Sequence, residues 1–356
     1  MIKRLENTEL IEALCNAFGP SGCCDNVAEL IKEQITGYCD RFYTDRLGNL
    51  IAVVGCRDSE SKRRIMLSAH MDEVGFMITG INPDGYLGFS CLGGIDPAVL
   101  GGRTVVLGDE SNRVAGIITS KAVHHKSREK RTEVTPVDKM YIDIGAVSRD
   151  EALRYADIGT YGTFASDFLR FGGGERMMCS KALDDRLGCA LLIEVMRQIR
   201  DFVADKTNEY YFCFTDREET GLSGAKVAAQ VIAPDSAVVI ETTAVADIFG
   251  VPENSRVADL GSGGVISLMD RSTIYDRGLI DASLTLAGQK NIPVQIKRYV
   301  SGGNDAGHIH KSGVGVRTLA LSAPTRYLHS ASCVASFTDY LSMKSLLCEM
   351  IISDIL

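Results

Sequence analysis

NEYYFCFTDREETGLSGA, residues 208–225, is the stretch from which the rest of the chain is read. Its first half is a continuous aromatic and apolar run of about the length of one buried strand. The run drives into two adjacent acids, Glu218 and Glu219, and then into Thr220-Gly221-Leu222-Ser223-Gly224-Ala225, where small residues let the backbone turn into a helix. Two neighbouring carboxylates repel, and one is pushed toward its protonated form unless a cation or a shared proton occupies the site. A metal ion is the obvious neutraliser. Successive side chains of an extended segment point in different directions, so one Glu can bind a metal while the other faces a bound water. For the pair taken alone, an exposed acidic turn is the plain alternative.

Outward from this stretch, strands and helices alternate. Residues 6–18 and 25–37 carry apolar residues at helical spacing, broken between them by FGPSG. RFYTDRLGNLIAVVG reads as a hairpin about Leu47-Gly48-Asn49, and RRIMLSA as a buried strand ending at His70-Met71-Asp72. In such a His-x-Asp the carboxylate can accept from the imidazole's other nitrogen and fix the tautomer of a metal-binding histidine. Between Gly75 and Gly162 the texture changes to short β-rich runs (GFMITGI, RTVVLG, AGIITS, KMYIDIG) broken by Gly and Asp turns. SRDEALRYA is a short helix there, with Ser148 and Glu151 at capping-box spacing. This predicts a small β-barrel, residues 75–162, inserted into a domain formed by residues 1–74 and 163–356.

After the insert, Asp184-Asp185-Arg186 stands at the entrance of a helix, and AVVIE is a strand ending on Glu241. A helix at 276–288 precedes the strand VQIKRYV, and VRTLALSA leads to PTRYLHS with His329. CVASFTDYLSMKSLLCEMIISDIL reads as one closing amphipathic helix. The alternation predicts an α/β fold: a central mixed sheet sandwiched by helices, with the barrel inserted.

Composition narrows the function. A chain of 356 residues with 45% hydrophobic and 24% charged residues suits a soluble globular protein of two domains. A net charge of −8 argues against a nucleic-acid surface, and the one basic run, 124–131, reads as a solvated loop. No apolar run approaches the ~20 residues of a membrane span, and the N-terminus has no signal-peptide core. The expected location is the cytoplasm. The eleven cysteines are scattered and form no C-x-x-C pair, so reduced thiols are expected.

His70, Glu219, Glu241 and His329 each fall at or just beyond the carboxyl end of a predicted strand, the edge at which open α/β sheets bind ligands. Mixed nitrogen and oxygen donors there suit zinc or cobalt. The other four histidines, His124, His125, His308 and His310, read as structural.

AHMDEVGF, KALDDRLG, FTDREETGLSGA, VVIETTAVADIFGVP, GSGGVISLMDRSTIYD, GGNDAGHIH and PTRYLHS, in this order, closely resemble the motifs of the TET-type di-metal aminopeptidases, which include glutamyl and deblocking enzymes. The resemblance implies two divalent ions. His70 and Glu241 would hold one, Glu219 and His329 the other, with Asp184 bridging, Glu218 as general base and Asp72 orienting His70. It also implies peptide substrates with a free N-terminus, a zinc-peptidase-like fold, and dimers formed through the insert that assemble into a dodecamer. Three departures stand out: Glu241 where many members have Asp, Phe249-Gly250 where Pro-Gly is usual, and Asn304 in GGNDA. A deacylase or carboxypeptidase, an endoglucanase and a non-catalytic assembly protein are the alternatives.

Overall fold

The computed structural model describes residues 4–55, 63–108, 112–125, 127–128, 132–203 and 208–356. Helices α1 (Asn7–Asn16) and α2 (Asp25–Ile35) lead into the hairpin β1 (Arg41–Thr44) and β2 (Leu50–Gly55), then β3 (Arg64–His70). The chain crosses into β4 (Gly75–Ile81), β5 (Leu87–Leu92), β6 (Thr104–Leu107), β7 (Val114–Thr119), β8 (Tyr141–Asp143) and β9 (Tyr161–Phe164), with the one-turn helix α3 (Arg149–Ala152) before β9. It returns through β10 (Leu169–Phe171) and β11 (Met177–Ser180) to α4 (Leu183–Val203), β12 (Glu209–Thr215), α5 (Ser223–Ile232) and β13 (Ser236–Ala244). Then come β14 (Gly264–Ile266), α6 (Arg277–Lys290), β15 (Val294–Ile296), α7 (Ala306–Ile309), β16 (Arg317–Arg326), β17 (Cys333–Ser336) and α8 (Phe337–Ile352).

Eleven strands form one mixed sheet. Its centre, β12-β3-β13-β16, is parallel, and antiparallel strands extend it on both sides. The central strands read as near-continuous apolar runs because they are buried along almost their whole length. Helix α4 packs on β3 and β13 and carries α1 and α8 against it, while α5 lies on β12 and β3. The parallel centre aligns four carboxyl ends; Thr215 sits opposite His70, and Glu241 opposite Ser322.

Strands β4 to β9 close into a separate six-stranded barrel. Its core holds Phe76 edge-on to both Phe89 and Phe164, with centroids 5.4 and 5.1 Å away. The expected α/β fold with a small barrel is the observed one. Local differences have local causes. The closing helix starts only at Phe337, because Cys333–Ser336 pairs with β11 and β16. VQIKRYV is strand for three residues only, Val294–Ile296, and β9 runs to Phe164. Ser148 caps α3 by accepting from the Glu151 amide, while the Glu151 side chain reaches back to the Val147 amide. The basic run at 124–131 lies partly outside the described residues.

Candidate metal centre and active site

His70 is the last residue of β3, Glu241 the sixth residue of β13, and His329 follows β16 by three residues. Glu218 and Glu219 do not lie on extended chain. They sit in a loop past β12, between Arg217 and Leu222, both of which have positive φ (64° and 59°). What aims this loop is Asp72, whose two carboxylate oxygens accept the Glu218 and Glu219 amides at 3.0 and 3.1 Å. Asp72 meets His70 chiefly through its backbone: His70 Nδ1 lies 2.8 Å from the Asp72 carbonyl and 3.6 Å from the carboxylate. A ring nitrogen facing a carbonyl donates, so Nδ1 carries the proton and Nε2 presents a lone pair. His329 is fixed in the same way, Nδ1 donating to the Gly94 carbonyl at 2.9 Å.

The two free Nε2 atoms converge on Asp184. Its Oδ1 is 3.3 Å from His70 Nε2, and its Oδ2 is 3.2 Å from His329 Nε2. Glu219 Oε1 lies 3.4 Å from His329 Nε2, and Glu241 Oε2 lies 3.8 Å from His70 Nε2. The donor atoms fall into three groups, each within 4.8 Å: His70, Asp185 and Glu241; His70, Glu218 and Glu219; Asp184, Glu219 and His329. All seven sequence-derived site residues are thus brought to one place. Asp185 joins them on the His70 side; its Oδ1 accepts the Gly188 amide at 3.0 Å, and a Cβ at Gly188 would lie 2.3 Å from its Oδ2. His308 and His310 stay outside the donor groups, and His310 Nδ1 donates to the Ala306 carbonyl.

The electrostatics are those of a cluster short of positive charge. Burial, reinforced by neighbouring acids, pushes Glu218, Glu241 and Asp185 well above the usual carboxylate range, and Glu219 to about 8. Asp184 goes the other way: burial raises it, but the imidazoles on its two oxygens outweigh burial and hold it low. Burial lowers His329, but Asp184 and Glu219 outweigh that and bring it to about 9. Asp184 Oδ1, Asp185 Oδ2, Glu219 Oε1 and Glu241 Oε1 are buried without a hydrogen-bond partner. Without a cation the two imidazoles take up protons to answer these carboxylates; a divalent ion would supply that charge and leave each Nε2 its lone pair, so the donor set fits one.

Beside the cluster is a cavity of about 190 Å³, lined by Glu218, Glu241, Asn304, Lys297 and His329 among others. Lys297 donates to the Ser301 carbonyl at 2.9 Å and has no carboxylate within 4.0 Å among the described residues. Asp185, the Gly94 carbonyl and Lys297 escaped the sequence reading. Asp185 alone carried a signal, as the second member of an Asp pair.

Sheet, barrel and acidic site together define an α/β protein with a candidate metal centre at the carboxyl ends of its parallel strands. The chain belongs to the M42 glutamyl aminopeptidase family, whose model matches residues 48–346. It is 37% identical over 348 residues to a putative aminopeptidase of Acetivibrio thermocellus, covering 96% of this chain and 98% of that one. The crystal structure of a TET aminopeptidase from a marine sediment Thaumarchaeota archaeon is similar at TM-score 0.92 and 33% identity, with 98% of both chains covered. The Pyrococcus horikoshii TET1 peptidase, described as assembling into a tetrahedron or a large octahedral shell, matches at TM-score 0.84 and 33% identity over 96% of this chain and 98% of its own.

Proposed function

We propose that the protein is a two-metal aminopeptidase that removes residues from the free N-terminus of peptides. In this reading His70 and Glu241 would hold one divalent ion, zinc or cobalt, Glu219 and His329 would hold the other, and Asp184 would serve both. The observation that carries it is Asp184, with one oxygen aimed at each imidazole. Bound there, the ions would polarise the scissile carbonyl and lower the pKa of an attacking water. Glu218, which lines the cavity and whose carboxyl is raised by burial, takes the proton of that water and passes it to the leaving amine. Asp72 positions this base by holding its amide, and orients His70 through its carbonyl. The carboxylates around the cavity also attract a substrate's ammonium group, which favours a free N-terminus. Lys297, the lysine of the cavity lining, acts with Asp270 and Glu241 around it and favours an acidic side chain on the first residue. A cavity on the scale of one side chain, below the roughly 300–1,000 Å³ of most ligand pockets, suits that assignment.

Donor oxygens of Glu218 and Glu219 lie within 4.8 Å of each other in one loop. That disfavours an endoglucanase, which needs carboxylates roughly 5–9.5 Å apart flanking the bond. The barrel carries the subunit contact of a homo-oligomer built from dimers up to a dodecamer. Its support is apolar exposure beside α3, with Val147 83% and Ile158 61% exposed. The expected location is the cytoplasm, where buried thiols such as Cys15, Cys189 and Cys213 would stay reduced. Among the described residues no helix is long and apolar enough to cross a membrane.

The test is hydrolysis of a panel of aminoacyl amides and of free and N-acetylated peptides by protein reconstituted with zinc, cobalt or manganese. Cleavage of free peptides only, best with Glu or Asp first, is expected. Equal cleavage of acetylated peptides, or release of C-terminal residues, would point to a deacylase or a carboxypeptidase.

A further inference from the structure

Among the described residues Arg186 is the largest fully buried side chain, and no step of the proposed reaction uses it. Its Nε donates to the Met71 carbonyl at 2.5 Å, one terminal nitrogen to the Leu14 and Ala17 carbonyls at 2.5 and 3.2 Å, and the other to the Gly19 carbonyl at 3.1 Å. A buried guanidinium is costly unless its N–H groups are used and its charge is balanced. The N–H groups are used on backbone carbonyls, and the charge is met in part, by a carboxylate that Arg186 shares with Lys181. Glu73 Oε1 lies 3.5 Å from Arg186, and the same carboxylate binds Lys181 at 2.6 and 2.9 Å and the Thr163 hydroxyl at 2.7 Å.

The carbonyls it gathers come from three places: the end of α1, the loop at Gly19, and the single residue between His70 and Asp72. Arg186 itself follows Asp185 directly. One side chain therefore ties the segment carrying Asp184 and Asp185 to the segment carrying His70 and Asp72, and both to the N-terminal layer. The Met71 amide is held in turn by the Thr215 carbonyl at 2.7 Å, and the Glu73 amide by the Gly19 carbonyl at 3.0 Å. The fit at Gly19 is close, since a Cβ there would lie 2.6 Å from the Arg186 terminal nitrogen.

We propose that Arg186 is a positioning residue of the metal centre, fixing the His70 segment against the Asp184 segment so that His70 Nε2 and Asp184 Oδ1 meet. The inference rests on the two-metal reading for what these ligands hold. A guanidinium reaches separated acceptors with a rigid fork, whereas a lysine ammonium is a single point, so lysine keeps the charge but not the clamp. His329 is held by Gly94, outside the clamp, so the effect is one-sided and falls on the ion bound through His70.

The experiment compares Arg186→Lys with Leu346→Ala, a core truncation in α8 that lowers stability and touches none of these carbonyls. Hydrogen exchange at the Met71 and Glu73 amides should accelerate in Arg186→Lys and not in Leu346→Ala. On dialysis of the holoenzyme against graded chelator, Arg186→Lys should bind one ion about ten- to a hundredfold more weakly and keep the other. If Arg186→Lys does not fold, Gly19→Ala, which presses on one arm of the clamp, should shift both readouts in the same direction. Exchange and metal affinity unchanged from wild type would overturn the proposal, as would loss of both ions in parallel with stability. Should the wild type hold fewer than two ions, the two-metal reading has failed instead, and Arg186 is judged by the exchange rates and by the affinity of the ion that remains.

Discussion

The protein has two hydrophobic cores that share no residue, and they differ in what is buried with them. In the α/β lobe His70, Asp72, Glu73, Lys181, Asp184, Asp185, Arg186 and Glu241 are all buried beside ordinary aliphatic packing. Within residues 75–164, Thr163 is the one buried polar side chain among the described residues, and its hydroxyl turns out of the barrel to Glu73. Buried charge is destabilising unless paired, so a lobe that concentrates it at four strand ends gives up stability for a site. The barrel makes no such sacrifice. It packs three phenylalanines conventionally, and it exposes Val147 and Ile158 near α3, although the α/β lobe also exposes apolar side chains, Phe249 and Val314 among them. In the proposed reading, chemistry belongs to the α/β lobe and subunit contact to the barrel.

The sharpest way to break that division is at Glu218. Glu218→Gln should lower kcat by about 10² to 10⁴ while the folded protein keeps its metal, because the change removes a base and not a ligand. Metal content falling together with kcat would make Glu218 a ligand. A smaller effect is expected from the barrel. The double change Val147→Lys and Ile158→Lys alters two exposed side chains, and such surface changes usually stay within about 0.5 kcal/mol in stability. It should reduce particle mass in light scattering and leave kcat per chain on a short substrate within about twofold of wild type. An unchanged particle would place the subunit contact elsewhere.

How much of this was legible follows from where each signal resides. The four central strands were readable because burial along their length demands apolar runs, and the barrel because Gly and Asp turns cut its strands short. Strands β10 and β11 were not, since LRF is exposed throughout and both are too short to show a pattern. CVAS was read into α8 because apolar residues continue across Ser336, and only pairing with β11 and β16 makes it a strand. In the site, the acids and imidazoles were visible as motifs. Their supports were not: the carbonyls of Gly94 and Met71 are backbone groups, which any residue type would supply, and only the fold places them. The Glu pair was readable as chemistry but misread as extended chain, since Asp72, two residues beyond the end of β3, holds the loop.

Asp184 is the point on which the two-metal account rests, because one of its oxygens lies 3.3 Å from His70 Nε2 and the other 3.2 Å from His329 Nε2. Losing a bridge strips a ligand from both ions and exposes each to the other's charge, whereas losing an outer ligand weakens mainly one. The direct measurement is metal content per chain after dialysis, for wild type, Asp184→Ala, His329→Ala and Asp185→Ala side by side. The account predicts about two ions in the wild type, about one in His329→Ala and none in Asp184→Ala. An Asp184→Ala protein that stays loaded while Asp185→Ala is emptied would contradict it and move the bridge to the neighbouring aspartate.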